Sequence, residues 1–204
     1  MIIRKTFNFC GGHFVRRTSF SEKCSMSNHG HNFKVEVLLT SNFLDNGQMV
    51  VDFGFVKDLL NDFIDSFDHC TYLWNKENDE IKSFFKSYSK RWIELPVSPS
   101  AESLSILFFK VIDQIINNTI FNNNEKNISL DSIIIHETDT GYAQAFRNDS
   151  QIFDFNLDDI IFSDEIKNKW KKDWIYSLKN NIKFEGPVTI QNFDTNNKLT
   201  NCKF

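Results

Sequence analysis

The sequence predicts an α+β fold in which two strands, two helices and a final pair of strands follow one another, with the helices on one face of an antiparallel sheet. Three observations carry this prediction. Apolar and polar residues alternate from Phe33 to Leu39, as in a strand with one buried face. Two later segments, 53–67 and 104–115, have apolar residues at helical spacing. The segments 130–138 and 141–146 flank a short polar turn, which is typical of a hairpin.

The first half of the chain contains the first two strands and the first helix. We expect a strand over residues 2–10, a loop over 11–28 and a second strand that begins at His29. An Asp-Asn-Gly turn follows that strand. The first helix is then expected to start after Asp52, a residue type that caps helix N-termini, and to end near Asp68.

The second half predicts the second helix and the closing hairpin. Ser98-Pro99-Ser100 opens the second helix, because proline and serine favour the first turn. Residues 75–97 are charged and mixed, and we interpret them as an insertion. The sequence therefore predicts a domain of residues 1–147 and a C-terminal extension, 148–204, of unknown role. In the extension, 165–178 is expected to be helical and the last residues to form loop or irregular strand.

Composition limits the possible function. The net charge of −4 gives no basic field for nucleic acid, so no nucleic-acid partner is expected. No apolar run has the length that crosses a bilayer, and the N-terminus lacks the pattern of a signal peptide, so neither a membrane partner nor export is expected. Four cysteines without regular spacing do not resemble a disulfide framework and favour a reducing cytoplasm.

Three histidines form a candidate metal site. His29 and His31 are two positions apart on a strand, so their side chains project from the same face, with Gly30 between them. They could share one metal ion or be polar residues on a solvated strand face. His13 follows the first strand, where antiparallel pairing could bring it beside them. Three nitrogen donors with an open fourth position are the ligand set of a catalytic zinc.

The cysteines allow two readings. Cys24 is either a small buried apolar residue or a thiolate whose pKa is lowered by a nearby cation. Its loop position close to the histidines favours the thiolate. Cys10 could be a rival metal ligand, but we interpret it as an ordinary strand residue. Cys70 and Cys202 have no partner that the sequence identifies.

Two further positions could take part in acid-base chemistry or recognition. Asp68-His69 at the first helix end is either a polar pair at a helix C-terminus or a carboxylate that orients an imidazole for proton transfer. Glu137 follows a run of isoleucines, so its carboxylate lies at an exposed strand end or accepts two parallel hydrogen bonds from a guanidine-like edge of a ligand. His136 points the other way and receives no role.

These segments together resemble the family of 6-pyruvoyl-tetrahydropterin synthase and 6-carboxytetrahydropterin synthase. The matching motifs follow the family's order over residues 2–146. They are Phe9-Cys10-Gly11-Gly12-His13, Cys24 with His29-Gly30-His31-Asn32-Phe33, Val51-Asp52-Phe53, Phe67-Asp68-His69, Pro99-Ser100-Ala101-Glu102 and Glu137-Thr138.

The resemblance implies a T-fold, whose ββααββ units join in trimers and stack into a hexamer, a dimer of trimers, with active sites between subunits. It implies zinc as cofactor and a pterin as substrate. The family's roles transfer to these residues: zinc ligands His13, His29 and His31; catalytic residues Cys24, Asp68 and His69; and substrate-binding residues Glu137, Ser100, Ala101 and Glu102.

The implied reaction converts 7,8-dihydroneopterin triphosphate to 6-carboxy-5,6,7,8-tetrahydropterin, with release of acetaldehyde and triphosphate, on the route to queuosine. One alternative is the pyruvoyl-forming reaction, which eliminates triphosphate and keeps the side chain. Another is a non-catalytic T-fold module that binds zinc or pterin. The composition and the short gap between Cys24 and His29 favour the first. Gly11-Gly12 replaces two alanines of the family motif and is expected to loosen the approach to His13.

Overall fold

The computed structural model describes residues 1–190, and the structural statements below refer to this part of the chain. Its strands are β1 (Ile2–His13), β2 (His29–Thr40), β3 (Cys70–Trp74), β4 (Trp92–Leu95), β5 (Thr119–Ile120), β6 (Ser129–Thr138), β7 (Gly141–Phe146), β8 (Ile161–Phe162) and β9 (Phe184–Glu185). Its α-helices are α1 (Glu22–Met26), α2 (Phe53–Asp65), α3 (Asp79–Tyr88), α4 (Ala101–Asn117), α5 (Asp164–Lys167) and α6 (Trp174–Lys179).

The described residues form a seven-stranded sheet with the order β7-β6-β2-β1-β3-β4-β8, and β5 pairs with β9 in a small second sheet. The four strands β7, β6, β2 and β1 are antiparallel neighbours, as the sequence predicts. β3 runs parallel to β1 and pairs with it only over Gly11–His13. The predicted ββααββ order is therefore present, with β3, α3 and β4 added between its two long helices.

Helices α2 and α4 cover one face of this sheet. Asp52 caps α2 by accepting hydrogen bonds from the N–H groups of Gly54 and Phe55. Ser100 caps α4 by accepting one from Ser103. The apolar side of each helix meets the alternate residues of β1 and β2 that point inward, and the buried set includes Phe9, Phe33, Val35, Val37, Leu60, Phe63, Leu104 and Phe108. Burial of this apolar area is the main term that stabilises the fold.

The loop expected over residues 11–28 is shorter than predicted at its first end. β1 continues to His13 because every residue from Ile2 to His13 pairs with β2. A short helix, α1, lies within the remaining loop, with Ser21 as its cap.

The C-terminal extension packs on the same core as the rest of the chain. β8 extends the sheet beyond β4, and the ring centroids of Phe63 and Trp174 lie 5.2 Å apart. The helix expected over 165–178 is divided into α5 and α6. Between them the N–H of Lys172 donates to the Asp62 carboxylate, and Asp173 caps α6, so a tertiary contact replaces the helical hydrogen bonds. The predictions for Cys202 and the last residues concern 191–204, outside the described part.

Within residues 1–190, no helix combines the length and the apolar character that crossing a bilayer requires.

Candidate metal centre and active site

The register of the first two strands brings the three predicted metal ligands together. His13 pairs directly with His29, and His31 is two residues further along β2. All three have the same strand parity as the buried Phe9 and Phe33, so their side chains lie on the helix-covered face. Each contributes one ring nitrogen, and these three nitrogens lie within 4.8 Å of one another.

The hydrogen bonds of two imidazoles leave the correct nitrogen free for a metal. Nδ1 of His13 donates to the carbonyl of Pro99 at 2.6 Å, and Nδ1 of His29 donates to the carbonyl of Ser27 at 3.0 Å. Their Nε2 atoms therefore carry lone pairs. Both Nε2 atoms are buried and have no hydrogen-bond partner within residues 1–190. A bound cation would satisfy both, so the donor set fits a metal ion.

The environment of His13 favours the neutral form that binds metals. Burial lowers the pKa of His13 from 6.5 to about 4, the hydrogen bond to Pro99 opposes this, and the neighbouring His29 and His31 add to the lowering. A neutral imidazole at neutral pH is a ready ligand, because no proton has to leave before the metal binds.

Glu137 faces the three histidines. Its Oε1 lies 3.7 Å from Nε2 of His13 and 4.0 Å from Nε2 of His31, and its side chain is 30% exposed. It is thus close to the metal centre and still open to a ligand. His136 bonds to Glu36 on the opposite side of the sheet, away from the three histidines, as the sequence predicts.

Asp68, His69 and Cys10 form a second cluster. The Asp68 carboxylate accepts from the N–H of Cys10 at 2.9 Å and from Nδ1 of His69 at 2.8 Å. Sγ of Cys10 lies 3.7 Å from the same Nδ1. Burial alone would raise the pKa of Asp68, but the bonds from Cys10 and His69 outweigh it and hold that pKa below its usual value. The ionised carboxylate therefore accepts from Nδ1 of His69, and Nε2 of this mostly exposed ring has no hydrogen-bond partner among residues 1–190.

A cavity of about 440 Å³ is lined by residues from both clusters. Its lining includes His31 from the first cluster and Cys10 and His69 from the second, with Gly11, Gly12 and Gly30 between them. Because Cys10 has the opposite strand parity to His13, the clusters lie on different faces of the sheet. The three glycines add no side-chain bulk to this lining.

The two glycines that replace alanines have different surroundings. A Cβ at Gly11 would lie 2.1 Å from Oη of Tyr72, whereas a Cβ at Gly12 would have its nearest neighbours at 3.5 Å. Tyr72 is buried, and its hydroxyl donates to the carbonyl of Phe67 at 2.5 Å. The expected loosening is therefore wrong for Gly11, which is needed so that Tyr72 can pack beneath the strand.

The other predicted site residues make no direct hydrogen bond to either cluster through their side chains within residues 1–190. Cys24 lies in α1, where its Sγ accepts from the Ser21 hydroxyl at 2.9 Å. Among residues 1–190, no hydrogen bond joins Cys24 to the three histidines or to the Asp68–His69 pair. Ser100, Ala101 and Glu102 form the start of α4 and follow Pro99, whose carbonyl bonds to His13.

Three residues have roles at the site that the sequence did not indicate: Cys10, Pro99 and Tyr72. The sequence predicts an ordinary strand residue at Cys10, but its N–H bonds to Asp68 and its thiol contacts His69. Strand parity could have separated it from His13 in advance. Pro99 gives no sequence signal because it acts through its backbone carbonyl, which bonds to His13. Tyr72 gives none because its position next to β1 depends on the pairing of β1 with β3.

The comparison with family models decides the family. The model described as 6-pyruvoyl tetrahydropterin synthase matches residues 2–148. The chain belongs to the 6-pyruvoyl tetrahydropterin synthase family. The predicted resemblance and the expectation of an enzyme of the tetrahydropterin synthase type are thereby confirmed at the level of the family.

Relatives within the family carry a more specific name. The chain is 37% identical to the 6-carboxy-5,6,7,8-tetrahydropterin synthase of Helicobacter pylori strain J99 over 183 residues, which is 87% of this chain and 91% of that protein. It is 33% identical over 126 residues to the protein of that name from Aquifex aeolicus, covering 52% of this chain and 75% of the relative. The Helicobacter alignment takes in more of this chain than residues 2–148, so that relative shares part of the extension.

Two solved structures share the fold. An uncharacterised protein of Wolinella succinogenes, WS1659, aligns with a TM-score of 0.59 at 20% identity, over 72% of this chain and 98% of that one. The Caenorhabditis elegans 6-pyruvoyl tetrahydropterin synthase aligns with a TM-score of 0.50 at 21% identity, over 72% and 94% of the two chains. The predicted T-fold with a C-terminal extension is confirmed.

Proposed function

We propose that this chain converts 7,8-dihydroneopterin triphosphate to 6-carboxy-5,6,7,8-tetrahydropterin, with release of acetaldehyde and triphosphate and with Zn²⁺ as cofactor. The name of its relatives in Helicobacter and Aquifex supports this reaction over the pyruvoyl-forming one. The single observation that carries the proposal is the convergence of three imidazoles whose free nitrogens lie within 4.8 Å of one another. In this proposal the product enters queuosine synthesis.

The donor set supports zinc in particular. His13, His29 and His31 would hold the ion through nitrogen, and a set of three histidines is typical of catalytic zinc with one open position. When bound, zinc acts as a Lewis acid that makes the hydroxyl and adjacent C–H groups of a substrate side chain more acidic. The Pro99 and Ser27 carbonyls fix the orientation of two of the ligands.

The remaining residues would bind the substrate and move protons. Glu137 would accept two parallel hydrogen bonds from the N–H and NH2 edge of the pterin. The segment Ser100–Glu102 at the start of α4 would add contacts, since it adjoins the carbonyl that orients His13. Cys24 as thiolate would abstract a proton from the substrate side chain. His69, held by the ionised Asp68, would transfer protons on the opposite side.

We further propose that the active site is completed by a neighbouring subunit. Within the described chain Cys24 makes no hydrogen bond to Asp68 or His69, so the acid-base pair of a second copy would have to approach it. Two stretches of strand that lack a neighbouring strand support such an assembly. β7 is the edge strand on one side of the sheet, and β1 pairs with β3 only at Gly11–His13, so its earlier residues have no strand partner on that side. A trimeric barrel, doubled into a hexamer, would use both stretches.

A cytoplasmic location completes the proposal. Cys10, Cys24 and Cys70 are free thiols, as a reducing compartment would keep them.

The decisive experiment incubates the zinc-loaded protein with 7,8-dihydroneopterin triphosphate and identifies the products by mass. The proposal predicts 6-carboxytetrahydropterin together with acetaldehyde and triphosphate. A diketone product would support the pyruvoyl-forming alternative, and the absence of both products and of triphosphate release would favour a non-catalytic binding module.

A further inference from the structure

The segment that carries Cys24 has little to hold it in place by itself. It runs from Phe14 to Asn28 between β1 and β2, and its one helix, α1, has five residues that are all at least partly exposed. Phe20 at its tip is 99% exposed. A helix of this length is not stable alone in water, so contacts from elsewhere must fix the thiol.

Arg16 connects this segment to a distant part of the chain. Its Nη1 donates to the carbonyl of Ser25, the residue after Cys24, and its Nε donates to Oε2 of Glu77 at 2.6 Å. One guanidinium thus bridges the Cys24 segment and the start of the inserted region, a geometry that a lysine cannot reproduce. The N–H of Val15 donates to the carbonyl of Cys24 itself at 2.9 Å, which adds a second tie.

Glu77 is a firm anchor for this arginine. Its side chain is only 8% exposed, and its Oε1 accepts from the N–H of Asn78 at 2.8 Å. Its own N–H donates to the carbonyl of Trp74, the last residue of β3. A charged hydrogen bond between two partly buried groups is stronger than a surface ion pair, and loss of either partner leaves the other uncompensated.

Aromatic contacts also join the Cys24 segment to neighbouring parts of the chain. The ring of Phe14 lies 6.1 Å from that of Phe85 in α3, and the Arg16 guanidinium lies 4.1 Å from the centroid of Phe14. The Arg17 guanidinium lies 5.1 Å from the Trp74 ring. The inserted region therefore contacts the Cys24 segment through one partly buried ion pair and through the Phe85 ring, and Trp74 at the end of β3 adds a second ring contact.

We propose that Arg16 and Glu77 are positioning residues that fix the Cys24 thiol at the active site, and that the inserted region 75–97 serves to supply this anchor. The catalytic importance of Cys24 rests on the proposed function. The immobility of the Cys24 segment does not, and it can be measured without substrate.

The test compares Arg16→Ala, Glu77→Ala and the double variant with the wild-type protein. Asp113→Asn is the matched control, because it breaks another carboxylate–arginine pair, with Arg147, outside the Cys24 segment. Zinc content, thermal melting, kcat and KM are measured on each protein. The rate of Cys24 alkylation by iodoacetamide is followed by mass spectrometry of its peptide, which separates it from the other thiols. If the alanine variants do not fold, Glu77→Gln and Arg16→Lys, which keep the side-chain size, replace them.

The proposal predicts a fall in kcat of about tenfold or more, with KM and zinc content unchanged, because small displacements of a reacting group are costly. It predicts faster alkylation of Cys24 than in the wild-type protein. It also predicts that kcat of the double variant is no lower than kcat of either single variant, because the two residues act as a unit. The proposal is overturned if alkylation of Cys24 keeps the wild-type rate in the folded variants. A wild-type protein without turnover would reject the proposed function, and the alkylation result would still decide the role of Arg16 and Glu77.

Discussion

The two titratable clusters of this chain differ in burial and in completeness. The His13 side chain is 0% exposed, and the centre that it forms with His29 and His31 has its donors in place within one protomer. The His69 side chain is 75% exposed, and its outward nitrogen has no partner among the described residues. In the proposed function, metal binding therefore requires only the folded chain, whereas proton transfer depends on what approaches His69 from outside.

The largest effect is expected from loss of a metal ligand. His13→Asn removes one of three nitrogen donors, so bound zinc should fall from one per chain to near zero and turnover by at least about 1000-fold. Elemental analysis and product formation measure both. The control is His136→Asn, a histidine that bonds to Glu36 and lies apart from the centre. Zinc retained at full stoichiometry by His13→Asn would show that the three imidazoles do not form the site.

The buried centre should also make the metal-free protein sensitive to acid. The folded state holds the pKa of His13 at about 4 instead of 6.5, so below pH 6.5 the unfolded chain binds a proton that the folded chain does not. Stability is therefore lost as the pH falls from 6.5 towards 4, by about 3 kcal/mol in total. Urea unfolding of protein treated with a chelator measures it. His13→Gln should lose this part of the pH dependence, and an unchanged profile in that variant would contradict the assignment.

The exposed cluster should respond differently. His69→Ala and Asp68→Asn are expected to lower turnover by about 100-fold, because they remove the acid-base group or the carboxylate that orients it. Zinc content and melting temperature should remain close to wild type, since His69 is mostly exposed. Steady-state kinetics and elemental analysis on the same samples check this. Loss of zinc from either variant would mean that the two clusters are not independent.

The smallest effect concerns the glycines between the clusters. Gly11→Ala should destabilise the fold by about 2 kcal/mol, because its methyl group would overlap the Tyr72 ring and force it to move. Gly12→Ala, with neighbours at 3.5 Å, is the matched control and should change stability by less than about 1 kcal/mol. Chemical denaturation compares them. Equal stability of the two variants would show that Tyr72 adapts without cost.

The parts of this site that follow strand periodicity could be predicted from the sequence. The alternation of β2 places His29 and His31 on one face, and antiparallel pairing with β1 brings His13 to them. The starts of α2 and α4 follow from their N-capping residues, Asp52 and Ser100, whereas α2 ends at Asp65 and not near Asp68 as expected. These are local rules, so a single sequence contains enough information to apply them.

The remaining features depend on contacts between distant segments. The division of the helix expected at 165–178 comes from the bond between Lys172 and Asp62, 110 positions apart. Glycine is needed at position 11 because of the Tyr72 ring. The Cys24 segment is anchored by the bond between Arg16 and Glu77. No periodicity or motif indicates such pairs, because each residue type is common on a protein surface.

The most direct test of this account is X-ray absorption spectroscopy at the zinc edge, together with a crystal structure of the zinc-loaded protein phased on that metal. The account predicts one zinc per chain, bound by Nε2 of His13 and His29 and by a ring nitrogen of His31 at about 2.0–2.1 Å, with a further position left for substrate. Zinc bound instead by Cys10, Asp68 and His69, or the absence of zinc from a fully folded protein, would contradict it.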